Sequence, residues 1–152
     1  MPLLNVEIKA RYNDAAFMRK YLLDNGAEFK GTDNQTDTYF NVPKGRLKLR
    51  QGNIENNLIY YERGNQAGPK NSRFSLVAVP DAGQLKEILS HSLGVKIVVQ
   101  KKREIYFIGN VKFHIDEVPD LGNFAEIEAS NKYADLPQEI LQQQCDFYIQ
   151  EL

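Results

Sequence analysis

Apolar and charged residues alternate one for one in Asn5-Val6-Glu7-Ile8-Lys9-Ala10-Arg11, and again in Phe124-Ala125-Glu126-Ile127-Glu128-Ala129. Successive side chains on a strand point to opposite faces, so each segment reads as a strand with one charged and one apolar face. The first strand spans 3–12. Asn13 is placed to cap a helix running to Asn25, with Phe17, Met18, Tyr21 and Leu22 on one side and Gly26 as its stop. Strand-like runs follow near 34–41, 45–51, 57–63 and 73–79, with a tight turn at Pro43-Lys44-Gly45. Pro80 and Asp81 open a second helix carrying Leu85, Ile88, Leu89 and Leu93, which Gly94 ends. Further strands lie at 95–108, 111–118 and 123–130, and Pro137 starts a last helix striped by Ile140, Leu141, Cys145 and Tyr148. Only 64–72 reads as a long mobile loop. Strands near eight in number with three amphipathic helices predict an α+β protein, one domain over 1–152.

Sorting the strands by parity collects the charge on one face. Arg46, Lys48 and Arg50 oppose Leu47 and Leu49; Lys112, His114 and Asp116 oppose Val111, Phe113 and Ile115; Glu126 and Glu128 oppose Ala125, Ile127 and Ala129. The 95–108 strand is less clean, since Lys101 and Arg103 share parity with Ile97, Val99 and Ile105, while Arg63 and Arg73 flank the loop. A sheet with one solvated face produces the same alternation. Two features favour a closed barrel: charge dominates strand after strand, and three helices need the apolar faces for cover. With helices outside, an eight-stranded antiparallel barrel turns its charged face inward. Charge there is costly unless paired or bound to a ligand. The basic residues on this face (Lys9, Arg11, Arg46, Lys48, Arg50, Arg63, Arg73, Lys101, Arg103, Lys112) outnumber Glu7, Asp116, Glu126 and Glu128. The surplus calls for an anion, and the acids form an oxygen-rich set suited to Mg2+ or Mn2+, which take remaining ligands from phosphate and water.

Composition changes this picture little. The 152 residues are 42% hydrophobic and 26% charged with net charge −1, so no global basic field points to nucleic acid. No apolar run is long enough for a bilayer, and the N-terminus does not read as a signal peptide. Cys145 is a lone cysteine in a helical stripe, expected as a buried structural thiol. The expectation is a cytoplasmic protein, monomer or homodimer, with no membrane or nucleic-acid partner.

The same residues carry a family resemblance. Asn5-Val6-Glu7-Ile8-Lys9 resembles the E-x-E-x-K signature of the CYTH superfamily, the triphosphate tunnel metalloenzymes. Further similar stretches are Gln35–Phe40, Gly45–Arg50, Leu58–Tyr61 with Arg63, Gly68–Ser72, Lys101–Arg103, His114–Val118 and Leu121–Glu128. The resemblance covers nearly the whole chain and is most similar to the class IV adenylyl cyclase branch. It implies a tunnel-forming barrel using magnesium or manganese on a triphosphate such as ATP, thiamine triphosphate or tripolyphosphate. It implies metal ligation by Glu7, Asp116, Glu126 and Glu128, phosphate binding by Lys9, Arg11, Lys48, Arg50, Arg63, Lys101, Arg103 and Lys112, and catalytic roles for Lys9, Lys112 and Asp116. Asn5 stands where the signature has its first Glu. One carboxylate fewer weakens a second divalent ion more than the first.

Cyclisation of ATP by its own 3′-hydroxyl, hydrolysis by a positioned water, and binding without turnover share these charges, so the sequence leaves the three open. Tyr39, Phe40, Tyr60 and Tyr61 are candidates for stacking on a base, or core residues. His114 is a candidate to orient Asp116; Lys70 and Ser72 are candidates to close over phosphate.

Overall fold

A computed structural model describes residues 3–64 and 68–152. Its elements are β1 (Leu3–Arg11), α1 (Ala15–Asp24), β2 (Glu28–Phe40), β3 (Arg46–Gln51), β4 (Asn56–Arg63), β5 (Lys70–Ala78), α2 (Gly83–Leu93), β6 (Val95–Ile108), β7 (Val111–Val118), β8 (Gly122–Ser130) and α3 (Gln138–Glu151). The strands form a closed barrel in the order β1-β5-β4-β3-β2-β6-β7-β8. β1 seals it by pairing antiparallel with β5 on one side and β8 on the other, which leaves no open edge. This is the α+β, eight-stranded antiparallel barrel that the alternation predicts.

The apolar core lies outside the barrel, between its outer face and the helices. Val6 of β1, Phe113 of β7 and Ile127 of β8 are buried in one cluster with Met18 and Leu22 of α1 and Leu141 and Cys145 of α3. Tyr148 of α3 meets Phe113 edge-on at 4.9 Å. Each fully buried side chain of this size stabilises the fold by about 1.5–3 kcal/mol. A smaller cluster joins Phe40, Leu49 and Ala82 to Leu85 and Leu89 of α2.

Some elements depart from the sequence reading. Asp14, not Asn13, caps α1, its Oδ1 accepting from the Phe17 amide at 3.1 Å. β2 starts at Glu28 rather than near 34, because its polar residues pair along β6 from Glu28↔Phe107 to Phe40↔Val95; tertiary pairing overrides their weak strand propensity. α2 uses only part of its stripe, since Ile88 is 61% exposed. Lys70 is already strand in the segment read as a loop, of which 65–67 lie outside the described residues. Among the described residues no helix is long and apolar enough to cross a membrane.

Candidate functional site

Strand parity aims the charged residues into the barrel. A cavity of about 190 Å³ is lined by Glu7 and Lys9 of β1, Lys48 and Arg50 of β3, Arg63 of β4, Lys101 and Arg103 of β6, Lys112 and His114 of β7, and Glu126 and Glu128 of β8. Arg73 is a correction: it is exposed, and Ser72, Phe74 and Leu76 are the β5 residues that line the lumen. Its neighbour in the ladder, Glu62, likewise has the opposite parity to the lumen-lining Tyr61 and Arg63. Arg11 is also exposed; it donates to the Leu121 carbonyl at 2.6 Å and lies outside the cavity lining.

Two aspartates behind the lining hold the cations in place. Asp37 of β2 receives Arg50 through Nε and Nη2, both at 2.9 Å, and Lys101 at 3.1 Å. Burial opposes its ionisation, but the Arg50 bonds outweigh burial and hold the carboxyl well below the usual range. Asp116 of β7 takes the corresponding fork from Arg103, with both bonds at 2.8 Å, and Lys9 at 3.3 Å. Against burial, Arg103 lowers its pKa to about 2. Both Asp116 oxygens are thus engaged by cations, and the residue stands outside the cavity lining.

The other carboxylates converge. Ligand atoms of His114, Glu126 and Glu128 lie within 4.8 Å of one another. Glu7 sits directly across the β1–β8 ladder from Glu128, and its Oε1 accepts from Arg63 at 3.0 Å. Burial, then the charges of Glu126 and Glu128, push Glu7 up to about 8. Burial and Glu126 raise Glu128 as well. Burial favours a neutral Glu126 too, but the hydrogen bond with His114 holds it ionised, well below the usual range. Burial and Arg103 depress His114 to about 3, so the ring is neutral. Its Nδ1–H then donates to Glu126 Oε1, and Nε2 is left buried and without a hydrogen-bond partner among the described residues. His114 therefore orients Glu126 rather than Asp116.

Crowded carboxylates that resist ionising together, beside a neutral imidazole, form a donor set that fits a hard divalent cation. Asn5 adds to the fit: it lines the cavity, is 7% exposed, and its Oδ1 has no hydrogen-bond partner among the described residues.

On the basic side Lys48 faces aromatic rings instead of a carboxylate. Lys48 makes no ion pair among the described residues; its Nζ lies 5.7 Å from the Tyr39 ring centre and 5.2 Å from that of Tyr61. Burial and Arg50 lower it to about 7. Of the four candidate aromatics, Tyr39 and Tyr61 line the lumen, while Phe40 is buried in the α2 cluster and Tyr60 packs its ring against Gly45.

Glu55 was missed by the sequence reading. It lines the cavity from the β3–β4 turn, where strand parity assigns no face. It accepts from Lys112 Nζ and from Gln35 Nε2 at 3.0 Å, with Arg50 at 3.6 Å. Lys132 and Tyr133, just after β8, also line the cavity and carry no sequence signal for it.

The sequence profile of the CYTH domain family matches residues 3–150. The chain belongs to the CYTH domain family. Among solved structures, this CYTH chain is similar to the PH1012 protein of Pyrococcus horikoshii OT3, with 27% identity, 91% of this chain and 86% of that one covered, and a TM-score of 0.74. A protein of Vibrio parahaemolyticus described as a candidate adenylate cyclase shares the fold at 18% identity, 94% and 83% coverage and a TM-score of 0.72. The Pct1 RNA triphosphatase of S. pombe shares it at 15% identity, 93% and 66% coverage and a TM-score of 0.55. None of the curated proteins matches the sequence.

Proposed function

We propose that this CYTH protein is a divalent-metal-dependent enzyme acting on the triphosphate of a small molecule, as a class IV adenylyl cyclase-like lyase that converts ATP to cyclic AMP and pyrophosphate. The observation that carries the reading is the division of one lumen into two parts. A basic surface runs from Lys48 and Arg50 to Lys101 and Arg63, and beside it lie Glu7, Glu126, Glu128 and His114. A triphosphate with magnesium or manganese answers both sets of charge. The naming of one fold relative as a candidate adenylate cyclase and another as an RNA triphosphatase supports a triphosphate substrate.

Glu126, Glu128 and Glu7 would hold the metal, with His114 fixing Glu126 and Asn5 offering an amide oxygen. When bound, the metal offsets phosphate charge and lowers the pKa of a coordinated hydroxyl. Arg50, Arg63 and Arg103 grip phosphate oxygens through paired N–H groups, whereas Lys48 and Lys101 act as point charges. Lys9 flanks the carboxylates and neutralises charge that develops on the reacting phosphoryl group, while Lys112 is engaged by Glu55. Asp116 acts as a positioning residue, keeping Arg103 and Lys9 aimed inward.

A hydrolase reading is favoured by one feature: charged and polar side chains outnumber apolar and aromatic ones in the lumen lining, which suits tripolyphosphate without any organic group. One assay separates the readings. Purified protein is incubated with ATP, thiamine triphosphate or tripolyphosphate and either metal, and products are resolved chromatographically. Cyclic AMP with pyrophosphate supports the cyclase, orthophosphate the hydrolase. Binding without turnover overturns both and leaves a triphosphate sensor.

A further inference from the structure

The two ends of the barrel differ in what stands across the lumen. Because all neighbours are antiparallel, the β3–β4 turn, the start of β1 and the segment after β8 share one end; the β2–β3 turn and the end of β4 share the other. Lining residues are exposed at both ends: Arg46 at the second, Lys132 and the 47%-exposed Tyr133 at the first. The cavity thus reaches solvent both ways.

Glu55, on the β3–β4 turn, lines the cavity at the same end as Tyr133. Its carboxylate joins the β3–β4 turn to Lys112 of β7, reaching past β2 and β6, and is pinned further by Gln35 of β2 and Arg50 of β3. The backbone of the turn is fixed as firmly. Asp33, fully buried, accepts from the amides of Asn53 at 2.7 Å, Ile54 at 2.9 Å and Glu55 at 2.9 Å. Gly52 admits this contact, since a Cβ there would fall 2.4 Å from Asp33 Oδ1. Swinging Glu55 away would strip Lys112, 6% exposed, of its counter-charge. The carboxylate is a fixture.

We propose that Glu55 is the end-stop of the phosphate cradle, so that a linear phosphate chain entering past Arg46 and Lys48 is accommodated up to three phosphates and no further. This rests on the triphosphate reading above. A fourth phosphate would meet a pinned negative group occupying Lys112, the next available cation. A hanging end outside the Arg46 mouth adds no contact, so affinity stops rising with chain length.

The test is calorimetric titration of the full chain with pyrophosphate, tripolyphosphate and tetrapolyphosphate, in chelator so that no metal-dependent turnover intervenes. In the wild type, affinity rises from two to three phosphates and then levels, with tetra- and tripolyphosphate within about twofold. In Glu55→Ala the freed Lys112 takes a fourth phosphate, and tetrapolyphosphate binds at least fivefold tighter than tripolyphosphate. Glu55→Ser gives the same shift and serves if the alanine variant does not fold. Loss of one negative charge strengthens every oligophosphate, so the ratio of the two affinities, not either alone, is the readout. An unchanged ratio in a folded variant, or a wild type that already prefers tetrapolyphosphate, overturns the end-stop alone. A wild type that binds none of the three overturns the triphosphate reading with it.

Discussion

Asp37 and Arg50 face each other across the β2–β3 ladder and are joined by two hydrogen bonds of equal length, 2.9 Å each. Asp37 is completely buried, and it also carries Lys101. Removing the acid from such a set leaves two buried cations without compensation. Asp37→Asn is therefore expected to destabilise the metal-free protein by about 3–5 kcal/mol, read from urea denaturation at neutral pH. A loss below about 1 kcal/mol would show that phosphate or water, not Asp37, balances Arg50.

Stability should also respond to pH through Glu7. Its pKa in the fold is raised from 4.5 to about 8 by burial and by Glu126 and Glu128. A carboxyl with a raised folded-state pKa contributes stability that is fully present below its unfolded value and lost as pH rises through the folded one. This part of the stability should thus be lost between pH 6 and pH 8.5, against an opposite trend from Lys48, whose lowered pKa favours the fold as pH rises through about 7. In metal-free buffer the melting temperature of the wild type should therefore drop relative to that of Glu7→Gln over this range, and saturating magnesium or manganese should narrow that difference. If the melting temperature of that variant falls as steeply as that of the wild type over this range, the crowding of carboxylates around Glu7 is not what titrates.

Glu126→Gln keeps the shape of the side chain and removes its charge. The expected outcome is a loss of metal-dependent kcat of at least about a hundredfold, with a thermal transition within a few degrees of the wild type. Full turnover in this variant would contradict the assignment of Glu126 to the metal.

Lys48 offers a separation of binding from stability. It is a half-buried cation with no carboxylate partner among the described residues, so in the empty fold only the Tyr39 and Tyr61 rings answer its charge. Lys48→Met should leave the denaturation midpoint unchanged or higher while weakening tripolyphosphate binding about tenfold or more, roughly the 1.4 kcal/mol of one phosphate contact. Unaltered affinity would remove Lys48 from the cradle.

Gly52→Ala tests the turn that carries Glu55. The added Cβ would sit 2.4 Å from the Asp33 carboxylate, which cannot move without releasing three backbone amides. We expect a loss of about 1–3 kcal/mol in thermal or urea unfolding. A neutral effect would mean that Asp33 does not brace the turn.

How much of this was legible in the sequence follows from where each residue sits. On β1, β3, β7 and β8 the two-residue period is uninterrupted, so Glu7, Lys48, Arg50, Lys112, Glu126 and Glu128 are placed in the lumen by parity alone. Arg73 shows the limit of that reading: its strand starts at Lys70, and the inward set is Ser72, Phe74 and Leu76. Glu55 and Tyr133 lie on connections, where no period exists, and enter the lumen only because the barrel closes around them. Partner choice was illegible for a different reason. Asp116 and Glu126 are both within reach of His114 by sequence spacing, and the arginine fork on Asp116 decides that His114 goes to Glu126.

The placement of the apolar core between barrel and helices, rather than within the barrel, divides the molecule by purpose. Val6, Phe113 and Ile127 hold the shell by their outward side chains, while Glu7, Lys112 and Glu126, each one position away, are at liberty to serve chemistry. Folding information and catalytic information are thus interleaved along the same strands at alternate residues. A lineage carrying this shell can rewrite its lumen one charge at a time without renegotiating the contacts that keep the barrel closed.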